Sequence, residues 1–328
     1  MVHIYNQGMD YVQESIAAIV NIHPHLKQIK DLPAIYNSQA SDQQIPILSG
    51  GGSGHEPAHF GYVGEGMLTA AISGPLFVPP KAADILEVIR FLNRGKGVFV
   101  IVKNFEADLH EFGQAIHDAR AEGIPVKYVI SHDDISVETS NFQMRHRGVA
   151  GTILLHKILG EAASRGASLE ELEQIGLSLS TSVATLGVAT KPATLPWDQQ
   201  PMFELPEGQI SFGIGIHGEP GYRTVPFESS EVLANELINK LKMKFKWHDG
   251  DSFILLINNL GGSSTLEEQI FTNDVLEFLA LDELNIVFTK TGHLITSLDM
   301  AGLSITLCLL QDKIWLDYLQ APTNAFAW

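Results

Sequence analysis

Cysteine is nearly absent: the chain carries one, Cys308, inside the apolar run SITLCLLQ. A single thiol excludes a disulfide within the chain and any thiolate cluster around a metal, which fits a reducing compartment. Cys308 itself reads as a small core residue. Positive charge is scarce too. Lys and Arg total 21 against 38 Asp and Glu, for a net charge of -17. So acidic a surface repels phosphate backbones, and direct nucleic-acid binding by this chain is not expected. No apolar run reaches the ~18 residues that a membrane span needs. The opening MVHIYNQGMDYVQESIAAIV lacks the basic start and apolar core of a secretory signal. The expectation is a soluble, cytoplasmic protein with no membrane association.

What the chain does have is core material. Apolar residues make up 45% and charged residues 18% of 328 residues, more than one core usually serves, so two domains are expected. Short apolar runs rich in Val and Ile alternate with segments of helical spacing. QIPILSGG, GVFVIVKNF and PVKYVISHDD read as strands; KAADILEVIRFLNRG and DLHEFGQAIHDARAEGI read as helices. GVAGTILLHKILGEAASRG and SLEELEQIGLSLSTSVATLGVAT also read as helical, the second opened by a capping box from Ser168 to Glu171. The stretch KPATLPWDQQPMFELPEG carries Pro192, Pro196, Pro201 and Pro206 and should run extended. A domain boundary is placed there, giving residues 1–190 and 191–328. Beyond it, QISFGIGIH, DSFILLINNLGGSS, NIVFTKTG, LSITLCLLQ and IWLDYLQAP read as strands, with helices at SSEVLANELINKLKMKF and from Thr265 to about Leu281. The fold class is therefore α/β: two α/β domains, each with a largely parallel or mixed sheet flanked by helices.

Ligands of such sheets meet the loops at the carboxyl ends of strands. Three loops of this kind carry polar residues: Gly50–His55, Lys103–Asp108 and Ile216–Gly221. The first is not a phosphate-binding Walker loop, because no Gly-Lys-Ser/Thr follows its glycines. Its HEPAH, His55 to His59, matches the zinc pattern H-E-x-x-H by letter. That pattern needs both histidines on one helical face, and Pro57 is read as the first helical turn, leaving His55 in the loop before it. A zinc hydrolase is thus a third-ranked reading, and no metal or other cofactor is expected. The preferred reading is a glycine loop, Gly52, Ser53 and Gly54 included, whose backbone N–H groups meet ligand oxygens. His55 at its lip is then a donor or base, or else a turn histidine with no ligand. His217 stands between Gly215 and Gly218, which would let a small molecule approach the ring. A neutral imidazole nitrogen can add to a ketone carbon and form a reversible hemiaminal; a capping or core histidine is the plain alternative. Asp108 is a candidate ligand contact or a helix N-cap. Lys103 is a site residue or a surface lysine.

Several long motifs in a fixed order now matter together. LSGGGSGHEPAHFGYVGEGMLTAAISG, RHRGVAGTILLHKILG, GIGIHGEPG and TSLDMAGLSITL resemble those of the dihydroxyacetone-binding subunit of dihydroxyacetone kinases, over nearly the whole chain. The resemblance implies two α/β domains and a homodimer. It implies that dihydroxyacetone is held as a hemiaminal on His217, that His55 and Asp108 hydrogen-bond its hydroxyls and transfer protons, and that Lys103 lines the same site. It also implies that any ATP belongs to a separate kinase subunit that docks over the ketone.

The chain departs from the family pattern in places. The family's K-N-Y-T/S-G-D reads Lys103-Asn104-Phe105-Glu106-Ala107-Asp108, its F-x-S-P-S reads Phe77-Val78-Pro79-Pro80-Lys81, and its double arginine reads His146-Arg147. Its C-T-V-P reads Ala193-Thr194-Leu195-Pro196, its N-G-L-G-G-T-P ends in Ser263-Ser264, and its L-D-A-P reads Leu319-Gln320-Ala321-Pro322. The ketone-holding groups remain, while the changes fall in loops where a phosphoryl donor would arrive. A carboxylate at Glu106 is unfavourable near incoming phosphates, and Ala107 would be strained if its position required positive φ. These departures look like the family's non-kinase branch: a ketone sensor that works as a coactivator with a separate DNA-binding regulator of a kinase operon. The alternative is a working dihydroxyacetone-binding subunit of a multi-subunit kinase.

Overall fold

In a computed structural model, residues 3–6, 10–136, 146–197 and 200–328 are described. Arg145 of the RHRGVAGT motif and Asp198 and Gln199 of the proline-rich stretch lie outside the described residues, as do parts of the opening segment. The chain forms two compact units: Met1–Ser131 with Thr152–Ser180 and Asp317–Trp328, and His132–Gly151 with Thr181–Leu316.

The first unit is built on strands β1 (Leu26–Gln28), β2 (Ala34–Asn37), β3 (Ile47–Ser53), β4 (Ala70–Leu76), β5 (Val98–Lys103) and β6 (Val126–Ser131), in the spatial order β1-β2-β4-β3-β5-β6. β4, β3, β5 and β6 run parallel; β1 and β2 join antiparallel at one edge. Every residue of β5, VFVIVK, is buried, as a strand covered on both faces requires. Helices α1 (Tyr11–Ile22), α2 (Ala82–Leu92), α3 (Glu106–Ala121), α4 (Thr152–Ser164) and α5 (Leu169–Ser182) belong to this part of the chain. α2 buries Ile85, Val88, Ile89 and Leu92 at helical spacing, each burial contributing roughly 1.5–3 kcal/mol over exposure. Ser168 Oγ and the Glu171 carboxylate form the expected reciprocal cap of α5.

The second unit holds β7 (Val183–Lys191), β8 (Gln209–Phe212), β9 (Arg223–Pro226), β10 (Ser252–Asn259), β11 (Asn285–Gly292) and β12 (Ala301–Leu309), in the order β11-β10-β12-β7-β8-β9. Only β10 and β11 pair in parallel, so this sheet is mixed. Its core joins Phe253, Leu255 and Ile257 of β10 to Leu237 and Leu241 of α6 (Ser230–Phe245) and to Phe271 and Val275 of α7 (Thr265–Leu281). A capping box from Ser264 to Glu267 starts α7.

Four expectations need correction. SVATLGVAT is strand β7, not the end of a helix: its β-branched residues find partners on β12 and β8 that a sequence does not display. IWLDYLQ is a helix, α8 (Ile314–Gln320), rather than a strand. QISFGIGIH is strand only to Phe212. The boundary expected between residues 190 and 191 falls inside β7, which pairs with β8 in one sheet. No helix among the described residues is long and apolar enough to cross a membrane.

Candidate functional site

In the first unit, β3 and β5 are parallel neighbours, so their carboxyl ends lie side by side and α3 begins three residues after β5. This brings Gly51, Lys103 and Asp108 together. Lys103 is wholly buried, not a surface lysine. Its Nζ donates to the Gly50 carbonyl at 3.2 Å, meets His59 Nε2 at 2.9 Å and lies 3.9 Å from Asp108 Oδ1. The glycines also have a structural use. Gly50, Gly51 and Gly52 are ladder residues of β3. A side-chain carbon on Gly51 would overlap Lys103 Nζ, and one on Gly52 would stand 2.6 Å from Val78 N. Close approach is needed here, but by the protein's own lysine and by the 77–80 segment. Gly54, at φ +95°, turns the chain out of the strand, and its N–H donates to the Glu56 carboxylate at 3.0 Å.

His55 follows, fully buried, its ring 5.2 Å from that of Phe77. No α-helix starts at Pro57: residues 56–59 form turns, and a 3-10 turn spans Phe60–Tyr62. His55 and His59 thus do not share a helical face, and His59 turns inward to Lys103, which removes the geometry of the zinc reading. Sequence reasoning weighed His59 only as a zinc ligand and missed this contact.

Asp108 is not the N-cap of α3. Phe105 holds that position without a side-chain cap, and Asp108 sits in the first turn with its carboxyl buried. Burial raises the Asp108 pKa, and the nearby ammonium of Lys103 opposes the rise. Burial lowers the Lys103 pKa, against the pull of Asp108. Asp108 Oδ1 and Ser53 Oγ are buried atoms without a hydrogen-bond partner among the described residues. Such orphaned acceptors cost about 1–3 kcal/mol each and mark a place where a polar ligand would complete the bonding. Ala107 is a helical residue of α3 with no positive φ, so the family glycine's replacement carries no strain there. Glu106, one residue before it, is exposed.

In the second unit, His217 follows the buried run ending at Ile216, with its side chain 16% exposed. Its backbone N–H donates to Glu219 Oε2 at 2.9 Å, and its Nδ1 lies 3.9 Å from Glu219 Oε1. Arg147 secures the loop. Its Nε donates to Asp134 Oδ2 at 2.6 Å, its Nη2 to Ser136 Oγ and the Gly213 carbonyl at 2.9 Å each, and its Nη1 is 3.8 Å from Glu219. The flanking glycines again serve the protein. A side chain at Gly215 would overlap Glu219 and Arg147, and Gly218 adopts φ +79° against Met202. Gly215 admits the Arg147–Glu219 bracket. Arg147 was legible only as part of a family motif; its four contacts span residues 134 to 219.

The first unit thus offers a carboxyl, an amine and a hydroxyl in low dielectric, and the second, taken by itself, a loop-held imidazole. The Dak1 domain profile matches residues 17–327. The chain is 54% identical, over 99% of each chain, to the protein named DhaKLM operon coactivator DhaQ of Lactococcus lactis subsp. lactis (strain IL1403). It is 40% identical, over 99% of this chain and 98% of the relative, to that organism's PTS-dependent dihydroxyacetone kinase, dihydroxyacetone-binding subunit DhaK. A solved structure described as dihydroxyacetone kinase operon co-activator Dha-DhaQ superposes with a TM-score of 0.93 at 54% identity, covering 96% of this chain and 97% of that one.

Proposed function

This chain belongs to the Dak1 domain family, and on that premise we propose that it binds dihydroxyacetone and acts as a ligand-sensing coactivator of a dihydroxyacetone kinase operon. The observation that carries the coactivator reading is the gap in similarity: 54% identity to the coactivator against 40% to the kinase subunit of the same organism, both over essentially full length. Exposed Glu106 supports it, since a carboxylate two residues from Asp108 repels an arriving phosphoryl donor.

In this reading His217 is the nucleophile. With the proton on Nδ1, facing Glu219, the Nε2 lone pair adds to the ketone carbon. The C–N bond forms as the C=O π bond opens, the oxygen takes up a proton, and the ring's extra charge is offset by the Glu219 carboxylate. Glycerol has no carbon for Nε2 to attack, so the covalent step selects ketone over polyol. His55, Asp108 and Lys103 take the roles of hydroxyl binding and proton transfer. The operon's DNA is contacted by a separate, basic regulator, in keeping with the net charge of -17.

Two measurements test this. Mass spectrometry under trapping conditions should find a dihydroxyacetone adduct on the wild type and none on His217→Ala; an adduct surviving in that variant assigns the nucleophile elsewhere. Mixing the protein with a cognate phosphoryl-carrying kinase subunit should give no dihydroxyacetone phosphate. Robust turnover would instead establish the kinase-subunit alternative, which the retention of His55, Asp108 and His217 favours.

A further inference from the structure

Two groups lie within hydrogen-bond distance of Lys103 Nζ, the Gly50 carbonyl at 3.2 Å and His59 Nε2 at 2.9 Å, while Asp108 Oδ1 stands beyond it at 3.9 Å. An ammonium has three N–H groups, so two are met here and the carboxylate adds opposite charge at ion-pair distance. His59 is neutral. Its pKa is held well below the ordinary value by burial, then by Lys103, His156 and His55. Behind it, Ser49 Oγ donates to the Ile101 carbonyl at 2.9 Å and so receives the Nε2–H of His156 at 3.3 Å. His156 meets His59 ring against edge at 5.1 Å and offers it no proton. The titratable groups that act on His59 are therefore Lys103, His156 and His55.

Burial alone favours the opposite arrangement. It lowers Lys103 and raises Asp108, which moves the proton from amine to carboxyl. The mutual attraction of Lys103 and Asp108 opposes this, and so do acceptors aimed at Nζ, of which His59 is the one side chain at hydrogen-bond distance among the described residues.

We propose that His59 is a positioning residue: by accepting an N–H of Lys103 it keeps the amine an ammonium and Asp108 a carboxylate whose Oδ1 is left to accept a ligand hydroxyl. The identity of that hydroxyl rests on the dihydroxyacetone reading; the charge assignment does not.

The test follows the Asp108 carboxyl by carbon NMR in the ligand-free, full-length protein, assigned with Asp108→Asn. The expected result is an ionised Asp108 at pH 7 in the wild type. His59→Leu should raise its midpoint by about one pH unit or more, and His59→Gln, whose side-chain carbonyl is an acceptor, should restore it. Dihydroxyacetone binding by His59→Leu should then fall roughly tenfold below the raised midpoint and recover as pH rises through it. A merely structural role would move affinity without moving the carboxyl midpoint. A protonated Asp108 at pH 7 in the wild type, or one midpoint shared by wild type and His59→Leu, overturns the proposal. Should His59→Leu not fold, the wild-type charge state and the His59→Gln midpoint decide. A wild type that binds no dihydroxyacetone defeats the functional reading and leaves the titration to judge His59.

Discussion

Glu219 accepts the backbone N–H of His217 at 2.9 Å while its other oxygen faces the same residue's Nδ1. One carboxylate thus fixes the loop and stands beside the ring, and Arg147 Nη1 lies 3.8 Å from it. Arg147 also pairs with buried Asp134. Arg147→Ala should destabilise the protein by about 3–5 kcal/mol, because a buried carboxylate loses its charged partner. Arg147→Lys keeps the charge but not the fork and should cost less. Denaturant unfolding of both variants reads this, and equal losses would count against the bracket.

Gly51→Ala should be costly where another glycine is not. The new methyl collides with Lys103 Nζ, and we expect roughly 1–3 kcal/mol of destabilisation together with loss of dihydroxyacetone binding. Gly113→Ala, in exposed helical backbone with nothing within 4 Å of the added carbon, should be neutral or stabilise by up to about 1 kcal/mol. Paired urea melts decide.

Stability should fall on acidification through the histidine range. The His156 pKa is lowered to about 3 by burial and by Lys103, and His59 is lowered too. Both titrate below their unfolded value of ~6.5, so between those limits the unfolded chain binds more protons and stability rises with pH. Each group adds a slope of up to ~1.4 kcal/mol per pH unit. His156→Gln should flatten the profile below pH 6.5 by about one group's worth, and urea midpoints from pH 7 to pH 4.5 would show it.

Cys308 should be inert in the native state. It is fully buried in β12, and burial pushes its thiol pKa up. An aromatic disulfide reagent should label it only at the rate of global unfolding; rapid labelling without denaturant would contradict the core assignment.

Much of the fold was open to reading because period and punctuation agreed. VFVIVK is apolar throughout and is a wholly buried parallel strand; Ser264 with Glu267 marks the start of α7 to the residue. β7 was hidden because it starts at Val183, directly after α5 ends at Ser182, with no loop between them, and only pairing with β12 and β8 makes it a strand. α8 spans seven residues, too few for period alone to separate helix from strand. At the site, Lys103, Asp108 and the glycines drew attention by residue type and place. Which groups they meet did not show, since His59 and Lys103 lie 44 residues apart and are joined only by the sheet. The glycines have a use the sequence did not display: their missing side chains leave room for the protein's own Lys103 and Glu219.

The first unit includes residues 317–328. Ala327 N–H donates to the Gly61 carbonyl at 2.9 Å, Asn324 Oδ1 accepts from Glu65 N–H at 2.8 Å, and Phe326 stacks on His23 at 4.4 Å. During synthesis, the part of the protein that emerges earliest is therefore completed last. The turn bearing His55 and His59 waits, without its closing strap, until more than two hundred further residues have left the ribosome.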